Sequence, residues 1–309
     1  MPVVAVVGSL NMDLVIRAPR QPLLGETLMG HSFGTTGGGK GSNQALACAR
    51  LGAESYMIGC VGDDDFGVRL RTTLTEGKVN CDYLETSGGA GTGVAVITVT
   101  DQGDNTIVLA SGANAFIDGE SIKRASEAFK KADAALFQLE IPLATVEAGL
   151  AFARKSGCKT VLTPAPARDL PLAIWRKIDY VVLNETELAF YASGGKTEKW
   201  EDAAGVAGKL LEFGAGGVVV TRGAQGGLVV TKHKTFAYDA FKVDAVDSTG
   251  AGDSFCAAMI VALSEGMPIE KSVRFAAAAG ALACTRFGAH PSLPWRHEVE
   301  ALLESNTGG

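Results

Sequence analysis

The residues best suited to chemistry lie in two glycine-rich stretches. The later one reads Val243-Asp244-Ala245-Val246-Asp247-Ser248-Thr249-Gly250-Ala251-Gly252-Asp253-Ser254-Phe255 and runs into an apolar helix through Leu263. Gly250 and Gly252 free the backbone so that successive N–H groups can converge on an anion, and the positive end of the following helix strengthens the pull. Asp253 beside such a nest has two readings: a cap for the helix that it opens, or a base next to a bound anion. Asp247 and Asp253 flanking Ser-Thr-Gly-Ala-Gly favour the second. Donors for a transferring group and a carboxylate for an accepting hydroxyl are what phosphoryl transfer to an alcohol requires. An ordinary aspartate, with a pKa of about 4, would be ionised and ready to accept that proton at neutral pH.

The earlier stretch, Gly37-Gly38-Gly39-Lys40-Gly41-Ser42-Asn43-Gln44, stands between a β-prone segment and a helix. That is where ligand can approach backbone N–H groups at a helix start. Gly34 and Gly39-Lys40 have the spacing of a Walker A loop, but position 41 is glycine where a Ser or Thr must bind magnesium. The stretch is therefore a near miss for that motif. A structural turn and a ligand loop both fit it. Asn43, a poor helix former one turn in, favours a ligand contact.

The surrounding pattern predicts how these loops are positioned. Short apolar runs at Pro2–Val7, Ser55–Val61, Ala134–Leu139, Lys159–Leu162, Tyr180–Leu183 and Gly217–Val220 read as buried parallel strands. Between them, Ser42–Leu51, Asp65–Glu76, Asp118–Lys131, Leu143–Ser156, Glu185–Tyr191 and Trp200–Phe213 carry helical periodicity. Strands alternating with helices predict a doubly wound α/β sheet, here one domain over residues 1–309. Two segments, 14–35 and 93–110, break the rhythm with β-prone stretches and an Asp101-Gln102-Gly103-Asp104 turn. They read as a small antiparallel sheet folded over the carboxyl edge of the main one, where such sheets bind ligands, or else as its edge strands.

Composition narrows the classes further. The 39 glycines exceed the usual share of about 7%, but with only 10 prolines and no Gly-X-Y period collagen and proline-rich disorder are excluded. With 28 Lys+Arg against 34 Asp+Glu, the formal charge is −6, which argues against a nucleic-acid partner bound through bulk positive charge. The amino terminus has no signal-peptide pattern and no apolar stretch reaches the length of a membrane span; the nearest, Phe275–Cys284, reads as a buried helix. Six cysteines without a Cys-x-x-Cys pair read as reduced core thiols of a cytoplasmic protein, and four histidines show no zinc-ligand spacing. No low-complexity run appears apart from the tail at 305–309. A nicotinamide dehydrogenase would need Gly-x-Gly-x-x-Gly after the first strand, where Gly8-Ser9-Leu10 stands. A sugar or nucleotide sensor would have no use for a base at Asp253.

Taken together, Gly38-Gly39-Lys40-Gly41-Ser42-Asn43-Gln44-Ala45 and Asp247-Ser248-Thr249-Gly250-Ala251-Gly252-Asp253 resemble the two hallmarks of the ribokinase-like (PfkB) carbohydrate kinases. Further segments follow in the family's order and cover nearly the whole chain: Gly8–Asp13, Gly25–Thr27, Gly62–Asp64, Gln138–Glu140, Pro164–Arg168, Asn184–Glu187 and Gly288–Ser292. The resemblance implies that fold with a β lid, and ATP-dependent phosphorylation of D-ribose at its 5-hydroxyl. The alternative substrates are deoxyribose, a ketohexose, a sugar acid or a nucleoside. It further implies a homodimer formed through the lid.

Position by position, the resemblance implies that Asn11, Met12, Asp13, Gly38, Gly39, Lys40, Asn43 and Glu140 hold the sugar, with Asp253 as base. Backbone N–H groups of Gly250, Ala251 and Gly252 would form the anion hole. Asn184 and Glu187 would organise Mg2+ and phosphate, although Asn184 also reads as a helix cap. ATP would lie along Thr221-Arg222-Gly223-Ala224-Gln225-Gly226, which by itself reads as a hairpin turn, with adenine against the helix that carries Ala277. A K+ site is implied at Asp247, the carbonyls of Thr249, Ala283, Arg286 and Gly288, and the Ser292 hydroxyl. Read without the family, Asp13 and Glu140 are carboxylates at the ends of apolar strand-like runs.

Overall fold

The opening run is apolar at every position because its strand is covered on both faces. A computed structural model describes residues 1–193 and 200–306; the rest of the expected domain and the tail at 307–309 lie outside the described residues. Its strands are β1 (Val3–Val7), β2 (Asn11–Ala18), β3 (Ser32–Gly38), β4 (Glu54–Gly62), β5 (Val79–Asn80), β6 (Leu84–Ser87) and β7 (Gly93–Thr100). They continue with β8 (Asn105–Ala110), β9 (Ala134–Gln138), β10 (Lys159–Thr163), β11 (Tyr180–Asn184), β12 (Gly217–Thr221), β13 (Gly227–Thr231) and β14 (Thr235–Tyr238). The helices are α1 (Lys40–Arg50), α2 (Asp65–Glu76), α3 (Gly119–Arg124), α4 (Ser126–Lys131), α5 (Leu143–Lys155) and α6 (Leu172–Trp175). Then come α7 (Glu185–Ser193), α8 (Ala203–Phe213), α9 (Ala251–Ser264), α10 (Ile269–Ala283), α11 (Ala289–Ser292) and α12 (Arg296–Ser305).

The main sheet runs β14-β13-β12-β11-β10-β9-β1-β4-β5, with β6 added on β4. It is parallel from β5 to β12 and antiparallel only at β13 and β14. Val4 and Val6 of β1 enter one core, shared with α1, α9 and α10, while Ala5 and Val7 enter the other, shared with α4, α5 and α8. The period-two alternation thus separates two layers of helix about one sheet. α9 is buried from Asp253 to Leu263, the pattern of a helix enclosed on all sides. Among the described residues, no helix is long and apolar enough to cross a membrane.

β3-β2-β7-β8 form a separate four-stranded sheet and not an edge of the main one, but it is mixed where an antiparallel sheet was expected, because β2 and β7, joined by a long crossover, pair parallel. Its extent differs from the expected 14–35: β2 begins at Asn11 and β3 ends at Gly38, so the candidate sugar-holding residues at 11–13 and 38 are the root of this sheet. Polar Asn11 and Asp13 hid the strand start, because local β propensity is carried by the apolar residues beyond them. The expected turn between β7 and β8 falls at 101–104. The single helix expected over Asp118–Lys131 is two short ones, divided at Ala125, whose backbone sits at φ −82° and ψ 11°. The short β5, β6 and β14 lacked enough residues to show a period.

The first glycine stretch has a packing role. A Cβ on Gly41 would lie 2.6 Å from the Gly8 carbonyl carbon and the Ser9 nitrogen, both backbone atoms that cannot rotate away. Its absence lets α1 start against the end of β1, where Ser42 N donates to Ser9 O at 2.9 Å. Gly41→Ala is predicted to destabilise the fold by about 1–3 kcal/mol, the usual range for overpacking. A chemical-denaturation midpoint equal to the parent's would contradict this contact.

Candidate active site

Strand order reverses between β1 and β9, because β1 leads to β4 on one side while β9, β10 and β11 extend the other. The carboxyl ends at such a switch point open a crevice. From β1 emerges Ser9, whose hydroxyl donates to Glu140 Oε2 at 2.5 Å; Glu140 itself follows β9. The same oxygen receives the Lys40 backbone N–H at 3.3 Å, tying the start of α1 to both strands. Beyond Ser9 the chain enters β2, which buries Asn11 and Asp13 on one face, 4% and 6% exposed. Met12, expected with them at the ligand, points the opposite way into the core, as strand alternation demands. Gly38 pairs with Asn11 across β2 and β3, and Gly39 forms the turn into α1 at φ 89°.

A cavity of about 390 Å³ lies here. Asn11, Ser111, Asn114, Glu140 and Arg168 supply its polar lining, while Leu109 and Ala110 bring in β8 of the small sheet. Asn114, which sequence reading missed, donates to Asn11 Oδ1 at 2.8 Å and brackets Leu10, donating to its carbonyl and accepting its N–H. The short helical turn Gly112–Phe116 that carries it had no sequence signal strong enough to single it out.

Asp253 is 7% exposed. It does not cap α9; Gly250 occupies that position with φ 78°. Both its oxygens are instead bound from α1: Asn43 Nδ2 donates to Oδ2 at 2.8 Å and Gln44 Nε2 donates to Oδ1 at 3.0 Å. Asn43 Oδ1 is buried without a partner. An unpaired buried acceptor is costly, about 1–3 kcal/mol, unless a ligand completes it.

The charges around this point are uneven. Burial pushes the Asp253 carboxyl above the usual aspartate value, against the Lys40 ammonium and the Asn43 and Gln44 donors, so the ordinary pKa expected from sequence does not hold. Asp13 is pushed up to about 7 by burial, then by Glu140 and Asp253. Glu187 is also raised, chiefly by burial. Burial opposes the charge on Lys40, but Asp253, Glu140 and Glu187 outweigh it and hold its pKa above the usual lysine value. Four carboxylates therefore converge on one ammonium, which leaves the site short of positive charge.

The expected anion hole is at the start of α9, but its three N–H groups are not equivalent. Ala251 N donates to Ser248 O at 3.2 Å, closing a turn, whereas Gly252 lies in the first helical turn, where no intrahelical acceptor exists. α10 passes close by at Gly280, where a Cβ would lie 3.3 Å from Ala251 O. Ala277, expected beside adenine, is buried in the core one turn earlier, while Gly280, Ala281 and Leu282 stay partly open. A lone glycine in an alanine-rich helix was the available signal for that approach.

Asn184 and Thr221 are register partners on β11 and β12, which brings the Asn184–Glu187 element beside the Thr221–Gly226 turn. Asn184 does cap α7: Glu187 N donates to Asn184 Oδ1 and Asn184 N donates to Glu187 Oε2, each at 2.9 Å. Arg222 is held by Glu185 at 2.9 Å and over the Trp200 ring at 4.5 Å. The 223–225 turn joins antiparallel β12 and β13, as its hairpin reading predicts.

Asp247 organises the last loop. It accepts Thr249 N and Oγ1 on one oxygen, at 2.9 and 2.7 Å, and Gly288 N on the other at 2.8 Å. Ser292 Oγ reaches Thr249 O at 3.4 Å. The Cys284 carbonyl, between Ala283 and Arg286, accepts Val246 N and Asp247 N. One carboxylate among neutral oxygens is a donor set suited to a hard cation of low charge. The Arg286 side chain turns away to Glu298. His290, given no role of its own by the sequence, is buried against Ser42 Oγ at 3.0 Å, and burial followed by the Arg50 charge lowers its pKa to about 4.

Residues 1–296 match the family described as pfkB family carbohydrate kinase. A ribokinase from Bacillus subtilis is 39% identical over 300 residues, covering 97% of this chain and 99% of that protein. A deoxyribokinase from Salmonella typhimurium is 34% identical over 304 residues, covering 98% of this chain and 99% of its own. Among solved structures, Arabidopsis thaliana ribokinase complexed with ribose and ATP superposes with a TM-score of 0.89 at 32% identity, covering 98% of this chain and 99% of that one. With the family match extending over nearly its whole length, the chain belongs to the pfkB family of carbohydrate kinases.

Proposed function

We propose that the chain is an ATP-dependent kinase that phosphorylates D-ribose on its 5-hydroxyl, giving D-ribose 5-phosphate and ADP. The observation that carries this reading is the buried Asp253 carboxylate at the first turn of α9, bound by Asn43 and Gln44 and within the field of Lys40 and of Glu140, which lines the cavity. Its ionised form accepts the proton of the 5-hydroxyl, the freed oxygen attacks the γ-phosphorus of ATP, and the bond from that phosphorus to the β-phosphate oxygen breaks to release ADP. A pKa above the usual aspartate value makes Asp253 a stronger proton acceptor.

Sugar hydroxyls both donate and accept, and the cavity offers both functions. Asn11 and Glu140 line the cavity, Asp13 lies on the same face of β2 as Asn11, and the unpaired Asn43 Oδ1 is a further acceptor beside the base. Gly38 and Gly39 would approach the sugar through backbone, as would Met12. Asp253, Glu140 and Glu187 hold the Lys40 ammonium charged and Arg168 lines the cavity, so against four carboxylates phosphate charge would be met largely by N–H groups and metal ions. ATP would lie along Thr221–Gly226 with its γ-phosphate at the N–H groups of Gly250, Gly252 and, once released from Ser248, Ala251. Asn184 and Glu187 carry hard oxygen donors and would hold Mg2+, which neutralises phosphate charge. The Asp247 loop would hold K+ through Asp247, the Thr249, Ala283, Arg286 and Gly288 carbonyls and Ser292.

The small sheet is read as a lid, since Leu109 and Ala110 of β8 border the cavity and closure would exclude water from the phosphoryl group. β8 is exposed at all of its six residues, with Val108 70% exposed, and an apolar open edge of this kind is a template for pairing. A homodimer through the two lids is part of the proposal. So is a single domain for the whole chain. The six cysteines are unpaired thiols, four of them buried, which suits the reducing cytoplasm.

A coupled ADP assay over a sugar panel tests the substrate: kcat/KM should be highest for ribose, and Asp253→Asn should keep ribose binding while losing turnover by about three orders of magnitude or more. A higher kcat/KM for deoxyribose, the substrate class named for the Salmonella relative, would overturn the ribose reading, and near-normal turnover in Asp253→Asn the mechanism. Asp13 gives a pH signature. Its proton is held to about 7 in the folded chain against 3.8 normally, so ionisation opposes folding and stability falls as pH rises between those values. Asp13→Asn should therefore raise Tm relative to the parent at about pH 8 and change it little at about pH 4, while weakening ribose binding; the same shift from the parent at both pH values would contradict the cost of burying this charge. For the lid, sedimentation should give a dimer for the parent and a monomer for Val108→Asp; a monomeric parent would refute pairing.

A further inference from the structure

Asp253 ionised can only accept hydrogen bonds, so it selects the amide end of Gln44. That choice leaves Gln44 Oε1 in need of a donor, in a place where Gln44 is wholly buried. Gln138, at the end of β9 and equally buried, supplies it: its Nε2 donates to Gln44 Oε1 at 2.6 Å. The far end of the chain, Gln138 Oε1, is buried with no partner, against Gly8, where a Cβ would lie only 1.8 Å away. Hydrogen-bond satisfaction thus runs outward from the carboxylate and fails only at its distal end. Thr163 Oγ1, at 3.4 Å from Gln44 Nε2, adds a lateral contact.

We propose that Gln44 and Gln138 are a positioning relay for the base: Gln138 fixes which end of Gln44 faces Asp253, and Gln44 thereby fixes the carboxylate's orientation and proton affinity. The inference rests on the reading of Asp253 as base. Neither glutamine has a place in the sugar or nucleotide sites described above. Without the Gln138 donor, Gln44 can rotate its carboxamide and turn an oxygen toward Asp253, replacing attraction by repulsion. The charged and titratable groups facing Asp253 are Lys40 from α1, Glu140 beyond β9, Glu187 from α7, Asp13 from β2 and Cys256 from its own helix. All five stay in place when the relay is altered, so a change in the acid limb reports on the relay.

The test compares Gln138→Met, Gln44→Leu and the double variant in steady-state assays with ribose and MgATP over pH. Each single variant should lose about 10- to 100-fold in kcat, the scale of a misplaced reacting group, with the KM for both substrates within about threefold. Losing a donor to a carboxylate raises its pKa, so the acid limb of the kcat profile should move upward by about one pH unit. The double variant should equal Gln44→Leu, because Gln138 acts only through Gln44. Ribose binding by calorimetry confirms that each variant is folded. An unmoved acid limb in Gln138→Met, or additive losses in the double variant, would overturn the relay. The base reading would stand in that event if Asp253→Asn remained inactive; activity in Asp253→Asn would instead remove the base reading itself.

Discussion

The arrangement of this site depends on keeping one carboxylate charged in the interior. Asp253 has little water around it, and an isolated charge so placed would simply take up a proton. Asn43 and Gln44 counter that tendency with one N–H donor on each oxygen, and the Lys40 ammonium adds its charge. The net result is a proton affinity above normal without loss of the acceptor role. Both amides lie on α1, next to each other in sequence and on the face packed against α9, so the state of the base is set by how those two helices are held.

What holds them is the carboxyl edge of the main sheet. α1 follows Gly39, turned tightly against Ser9–Asn11, and its first backbone groups are tied to Ser9 and Glu140. β1 continues directly into the small sheet through Asn11 and Asp13, so the sugar side of the cavity and the lid share one strand. The Asp247 loop joins the start of α9 to 286–292, and His290 in that segment lies beside Ser42 of α1. Base, lid root and cation loop are therefore fixed to a common frame, which is a physical basis for closing the lid and assembling the phosphate site together.

Much of this was legible in the chain. Apolar runs at Pro2–Val7 and Ala134–Leu139 announced the buried parallel strands β1 and β9 because both faces are covered, and the two glycine stretches marked where backbone must come close. Asp253 was recognisable from its loop, and the structure removed its rival reading as a cap. Other features were hidden for physical reasons. Met12 shares a motif with Asn11 and Asp13, but only strand alternation, which sequence around polar residues concealed, sends it to the core. Asn114, Gln44 and Gln138 act through contacts 94 to 209 residues apart along the chain, and no local pattern encodes such pairs. The raised proton affinity of Asp253 likewise follows from burial, which its neighbours in sequence do not reveal.

A formal charge of −6 and a site with four carboxylates around one lysine are compatible with binding ATP only if dipoles and metal ions carry the compensation. The glycines and helix start at Gly250 supply the dipoles. Everything then turns on whether Asp253 is ionised when the sugar arrives. The direct measurement is a carbon-13 NMR titration of side-chain aspartate carboxyls in the free protein, with Asp253→Asn to assign the resonance. A midpoint above the ordinary aspartate value of 3.8 is expected, with a carboxylate that is ionised in the pH range of turnover. A midpoint at the ordinary value, or a carboxyl still protonated throughout that range, would contradict it.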